Sequence, residues 1–135
     1  MAINEKTMEI KITKTTAPKA KPASDGLGFG KYFTDHMFVM DYDTGMGWHD
    51  ARIIPFGDIS LSPAAMCLHY GQEIFEGLKA YRCPAGKVRV FRTDENAARL
   101  QSTCRGIMMP EVPTELFNTM VDKAIILNQE FIPTY

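Results

Sequence analysis

The chain has 135 residues, 45% of them hydrophobic and 23% charged, with a formal net charge of −1. That length suits one domain with little room for a second, and the composition is that of an ordinary soluble globular protein. Fifteen Lys and Arg against sixteen Asp and Glu argue against a grip on nucleic acid, which requires a basic stripe.

The N-terminus has no apolar core of secretory type, and it carries Glu5 and Glu9 and no Arg, unlike a transit peptide. No apolar run in the chain approaches the roughly 20 residues that cross a bilayer. Met8, Ile10 and Ile12 alternate with Glu9, Lys11 and Thr13, which predicts a short strand near a sheet edge. Pro18 and Pro22 make residues 17–25 a linker, closed by Gly26, Gly28 and Gly30. Those glycines do not follow the spacing of a dinucleotide fingerprint or a P-loop, so they read as turns.

Residues 32–54 carry a β signal, with Met37, Phe38, Val39 and Tyr42 before the turn residues 43–47 and a returning strand from Trp48 to Ile54. Pro63 opens a short predicted helix to Leu68, with Ser62 as its cap. A second hairpin turns at residues 83–86, between Leu78, Ala80 and Tyr81 on one side and Val88, Val90 and Phe91 on the other. Two helices finish the chain. Thr93 is the expected cap of the first, whose apolar face is Ala97, Leu100, Cys104 and Met108. Thr114 is the expected cap of the second, which buries Leu116, Met120, Val121, Ala124, Ile125 and Leu127. The order predicts an α/β domain of α+β type, with an antiparallel-rich sheet and flanking helices. The ending at Tyr135, with no evident final element, reads as a truncation.

From the residues alone, chemistry is thinly signalled. His36, His49 and His69 lack i, i+4 spacing, and Cys67, Cys83 and Cys104 form no C-x-x-C pair, so no metal site is expected. The thiols read as reduced ones of a cytoplasmic protein. Glu73 and Glu76 would share a helix face, but Gly71 and Gly77 argue against a helix, and with it against a paired-carboxylate site. Lys79 reads as an exposed strand lysine. Arg99 projects away from the apolar face of its helix, either as a solvated arginine or as a fork of donors for a phosphate; periodicity does not choose.

Three stretches add a resemblance. Phe29-Gly30-Lys31-Tyr32-Phe33-Thr34-Asp35-His36-Met37 resembles the F-G-x-x-F-T-D-H-M signature of branched-chain aminotransferases. Residues 68–82, LHYGQEIFEGLKAYR, resemble that family's L-H-Y-x-x-x-x-F-E-G-L-K-A-[FY]-R segment. Phe91-Arg92 followed by Asn96-Ala97-Ala98-Arg99-Leu100 is similar to the strand and helix that carry its phosphate-binding arginine. The similarity runs over residues 26–135; residues 1–25 add a strand and a Pro/Lys-rich linker.

The resemblance implies the small N-terminal domain of a fold type IV pyridoxal-phosphate enzyme, with the large C-terminal domain absent. It implies that Arg99 binds the 5′-phosphate of pyridoxal 5′-phosphate. Phe29, Tyr70 and Phe75 would line the pocket for an aliphatic side chain, Tyr70 reaching into the neighbouring subunit of a homodimer. The activity implied is transfer of the amino group of leucine, isoleucine or valine to 2-oxoglutarate. No catalytic residue is expected here, because the family's Schiff-base lysine lies downstream; the chain by itself is expected to be inactive and to self-associate through exposed apolar surface. Two alternatives stay open: another fold type IV enzyme, a D-amino-acid aminotransferase or aminodeoxychorismate lyase, and a stand-alone, non-catalytic dimerisation module.

Overall fold

A computed structural model describes residues 8–133. It is an α+β arrangement of two small sheets and three helices, as the pattern predicts. Strands β1 (Lys11–Ile12), β2 (His36–Asp43) and β3 (Gly47–Pro55) form one sheet in the order β1-β3-β2. Strands β4 (Ala80–Arg82) and β5 (Val88–Val90) form a second hairpin. Helix α1 (Cys67–Tyr70) is a single turn, whereas α2 (Thr93–Gly106) and α3 (Thr114–Leu127) have 14 residues each.

Strand β2 pairs antiparallel with β3 across the turn at 43–47, with Phe38 opposite Ile53 and Tyr42 opposite Trp48. Between Val39 and Asp41 the register shifts, and β3 carries the extra residue. Asp50 there takes a left-handed φ of 51°, the backbone mark of a bulge. The predicted N-terminal strand is present at the sheet edge, though only two residues long and parallel to β3. Residues beyond it stay stitched to the sheet: Thr15 N donates to His36 Nε2 at 2.9 Å and Lys19 N to Asp35 Oδ1 at 2.9 Å.

The core has two parts. Ala51 and Ile53 are buried under the first sheet. Ala97, Leu100, Cys104, Val112 and Phe117 form a cluster where α2 meets α3, covered by Met40 and Trp48 from the first hairpin and by Ile74 and Leu78. Asn128, just past α3, locks that helix to the start of β2. Its Oδ1 accepts from His36 N at 3.2 Å and its Nδ2 donates to His36 O at 3.2 Å.

Several local expectations need correction. Thr93 and Thr114 are first helical residues and not caps; Arg92 and Pro113 occupy the cap positions, and neither makes a side-chain cap bond. Arg92 turns the chain from β5 into α2 with a left-handed φ of 50°, and the Thr114 hydroxyl is taken by Gln101 Nε2 at 3.3 Å. Ser62 does not cap a helix over 63–68. Its Oγ accepts from Ala64 N in a turn, and helical structure starts at Cys67. Met108 leaves the apolar face: with φ 58° it steps out of helical phase and is 90% exposed, while Met109 packs on the cluster instead. On α3 the buried side chain is Phe117, with Leu116, Met120 and Val121 around it half-buried.

The chain exposes 10274 Å². A compact monomer of this mass exposes about 7,000 Å². Part of the surplus lies in residues 13–35, which are mostly exposed, and part in open apolar side chains.

Candidate functional site

Residues 71–82 alternate strictly in burial. Gln72, Ile74, Glu76, Leu78 and Ala80 turn inward, whereas Glu73, Phe75, Gly77, Lys79 and Tyr81 turn outward. Only the last three residues pair as β4, and the preceding run lies extended along α2. Gln72 Nε2 donates to the Ile107 carbonyl at the far end of α2, at 3.0 Å. Asn96 Nδ2, in the first turn of α2, donates to Glu76 Oε1 at 2.8 Å and to the Gly77 carbonyl at 3.1 Å.

Ile74 and Leu78 pack on the helical cluster, so Glu76 between them is carried onto the surface of α2. Its side chain is 7% exposed. A carboxylate so enclosed is costly unless paired. Arg99 supplies the pair: Nε donates to Glu76 Oε2 at 2.9 Å, and Nη2 donates to Oε1. Two parallel donors on two oxygens is the geometry in which guanidinium and carboxylate interact most strongly. The Arg99 hydrogen bonds hold the Glu76 carboxyl below its usual 4.5, outweighing the opposite push of burial; Asn96 adds to the lowering. The same bonds hold the Arg99 guanidinium in its charged form still more firmly than usual.

Arg99 itself is 65% exposed. It lies on the side of α2 away from Ala97, Leu100 and Cys104, where the spacing put it, yet it is not simply solvated. Glu76 occupies its Nε–Nη2 edge, and among the described residues Nη1 has no hydrogen-bond partner. Phe91, Arg92, Glu95, Asn96 and Arg99 bound a shallow depression of about 200 Å³. Arg92 Nη2 bonds Glu95 Oε1 there at 2.6 Å, so the second arginine is already engaged. The donors fit one corner of a phosphate group: an open Nη1, held in place by a carboxylate on the opposite edge.

Phe29, Tyr70 and Phe75 are 92%, 80% and 81% exposed. Phe29 stands in the glycine loop, where Gly28 and Gly30 have φ of 65° and 69°. Tyr70 ends α1 against Gly71, and Phe75 is on the outward side of the extended run. Among the described residues none of the three stacks on another, and neither this depression nor a second one beside Val88, Val90 and Ile125 is lined by them. They add nothing to the chain's own core.

Each histidine has a partner within the chain, although the buried His36 Nδ1 has none among the described residues. His36 accepts from Thr15, His49 bridges Asp43 and Asp50 at 2.8 and 2.9 Å, and His69 Nε2 bonds the Pro63 carbonyl at 2.6 Å. The two carboxylates raise His49 above 6.5, Asp50 more than Asp43. Among the described residues no three His, Cys, Asp or Glu converge on a metal position, and no helix is long and apolar enough to cross a membrane. Glu73 and Glu76, three apart on an extended run, face opposite ways.

Taken from the sequence, Glu76 is weighed only as a partner for Glu73 and Asn96 only as part of a motif, and neither is assigned a place in the site. A usable signal is present: period two over Ile74, Glu76 and Leu78 places a charge on the apolar side, and such a charge demands a partner.

No family model matches the chain. Curated relatives do. The chain is 44% identical to the branched-chain-amino-acid aminotransferase of Mycolicibacterium smegmatis over 97% of its own length and 37% of that protein's. It is 45% identical to branched-chain-amino-acid transaminase 1 of Bacillus subtilis, over 92% of the chain and 35% of the relative. With the Mycobacterium tuberculosis branched-chain-amino-acid aminotransferase the identity is 51%, over 78% of the chain and 29% of the relative. The chain belongs to the branched-chain aminotransferase family. It spans about a third of the length of the family members it matches.

Proposed function

We propose that the chain is the small domain of a pyridoxal-phosphate-dependent branched-chain aminotransferase, with residues 26–135 as that domain and residues 1–25 as a leading strand and linker. In the complete protein it would serve transfer of the amino group of leucine, isoleucine or valine to 2-oxoglutarate. The observation that carries the reading is the 44–51% identity to branched-chain aminotransferases over most of this chain.

Pyridoxal phosphate, when bound, supplies an electron sink for chemistry at the substrate's α-carbon. This chain's residues position and select. Arg99, whose Nη1 is left open by Glu76, would hold the 5′-phosphate. In the complete protein Phe29, Tyr70 and Phe75, exposed and apart in this chain, would contribute an apolar wall for the substrate side chain. Burial against such a wall is worth about 25 cal/mol per Å² and does not depend on where the chain branches, so one pocket admits all three amino acids. The lysine that bonds the cofactor belongs to the remaining two-thirds, and the chain alone is inactive.

The open rings and the surplus surface support a large partner domain and a homodimer, in which those faces are covered. A cytoplasmic setting keeps Cys67, Cys83 and Cys104 reduced. The test is transamination by the complete protein, with 2-oxoglutarate as acceptor and L-leucine or D-alanine as donor. Preference for L-leucine is expected. Preference for D-alanine would indicate the D-amino-acid relative, and turnover of neither a non-catalytic module.

A further inference from the structure

We infer that Glu76 is a positioning residue for phosphate recognition: it fixes the Arg99 guanidinium with its Nη1 edge held toward the depression beside Phe91 and Asn96. The inference rests on the reading of Arg99 given above. Three observations carry it. The Glu76 side chain is 7% exposed and both of its carboxylate oxygens are already taken by Arg99. Its Oε1 also accepts from Asn96 Nδ2 at 2.8 Å, and Asn96 in turn holds the Gly77 carbonyl, so the carboxylate is itself anchored to α2. Arg99, by contrast, is 65% exposed, and without that clamp its long side chain would range over many rotamers.

Glu76 acts on phosphate in two opposed ways. Its negative charge repels a phosphate, but a phosphate on the open Nη1 edge would stand at the solvent-facing side of the guanidinium, with the Arg99 positive charge between it and Glu76. Its hydrogen bonds order the guanidinium before the ligand arrives, removing an ordering cost equivalent to about a two- to tenfold change in affinity. Ordering prevails. The other arginine at the depression, Arg92, is tied to Glu95 and does not compete for Glu76.

The experiment compares the apo form of the complete protein for equilibrium affinity toward pyridoxal phosphate and toward pyridoxal, which lacks the phosphate. The ratio of the two isolates phosphate recognition, and a general loss of packing does not move it. Glu76→Gln is expected to lower the ratio about two- to tenfold. In an Arg99→Lys background, where no planar fork remains to be oriented, Glu76→Gln is expected to change nothing further. Asn96→Ala loosens the carboxylate without removing its charge and is expected to lower the ratio in the same direction; it serves if Glu76→Gln does not fold. A ratio that stays level or rises in Glu76→Gln, while Arg99→Lys lowers it, overturns the positioning role. A ratio unmoved by Arg99→Lys overturns the reading of Arg99 itself.

Discussion

Arg99 Nε donates to Glu76 Oε2 at 2.9 Å, joining two residues 23 apart in sequence and tying the extended run after α1 to helix α2. The pair is lopsided, with the carboxylate enclosed and the guanidinium open to solvent. It therefore leaves a trace in acid. The Glu76 carboxyl is depressed in the folded chain, so its stabilising contribution is complete above its unfolded value near 4.5 and is lost as pH falls through the lower, folded value. Urea unfolding of wild type and Glu76→Gln across that range is expected to show wild type losing its advantage below about pH 4.5. A constant difference between them down to pH 2 would contradict the pairing.

The corrected core makes a second prediction. Phe117 is 3% exposed in the α2–α3 cluster and Met108 is 90% exposed beyond α2. Phe117→Ala is expected to destabilise the chain by about 3–5 kcal/mol. Met108→Ala should stay within about 0.5 kcal/mol. Denaturant midpoints check both, and equal effects would refute the packing described.

Thiol reactivity should divide the cysteines. Cys104 is 1% exposed, and burial raises its thiol above 9.0, with Glu111 adding to the rise; Cys67 and Cys83 are half-buried. Ellman's reagent under native conditions is expected to label Cys67 and Cys83 readily and Cys104 only at the rate of unfolding. Rapid labelling of all three would contradict the burial of Cys104.

Much of this fold is legible because its elements are regular. Period two marks both hairpins, and the spacing of Ala97, Leu100 and Cys104 marks the buried face of α2. What escapes depends on backbone or on distant partners. The left-handed turns at Arg92 and Met108 are not written in residue types that favour them, and they displace a cap in one case and a core residue in the other. Phe117 owes its burial to Val112 and α2, which its own helix cannot reveal. At the candidate site, the helix period shows that Arg99 faces away from the core, and the resemblance attaches a phosphate to it. Glu76 becomes meaningful only when the extended run lies down on α2 and brings it to Arg99.

The aromatic wall is the claim on which substrate choice depends, and Phe75 offers the clearest access to it. Its ring is 81% exposed and lies against Gly77, where an added Cβ would meet ring carbon Cε1 at 3.2 Å. The decisive measurement is kcat/KM of the complete protein for L-leucine and for L-alanine, in wild type and Phe75→Ala. The expected result is a loss of about tenfold for leucine relative to alanine, the scale of losing part of an apolar side-chain contact, with an unchanged melting temperature. A leucine-to-alanine ratio equal to that of wild type would contradict the account.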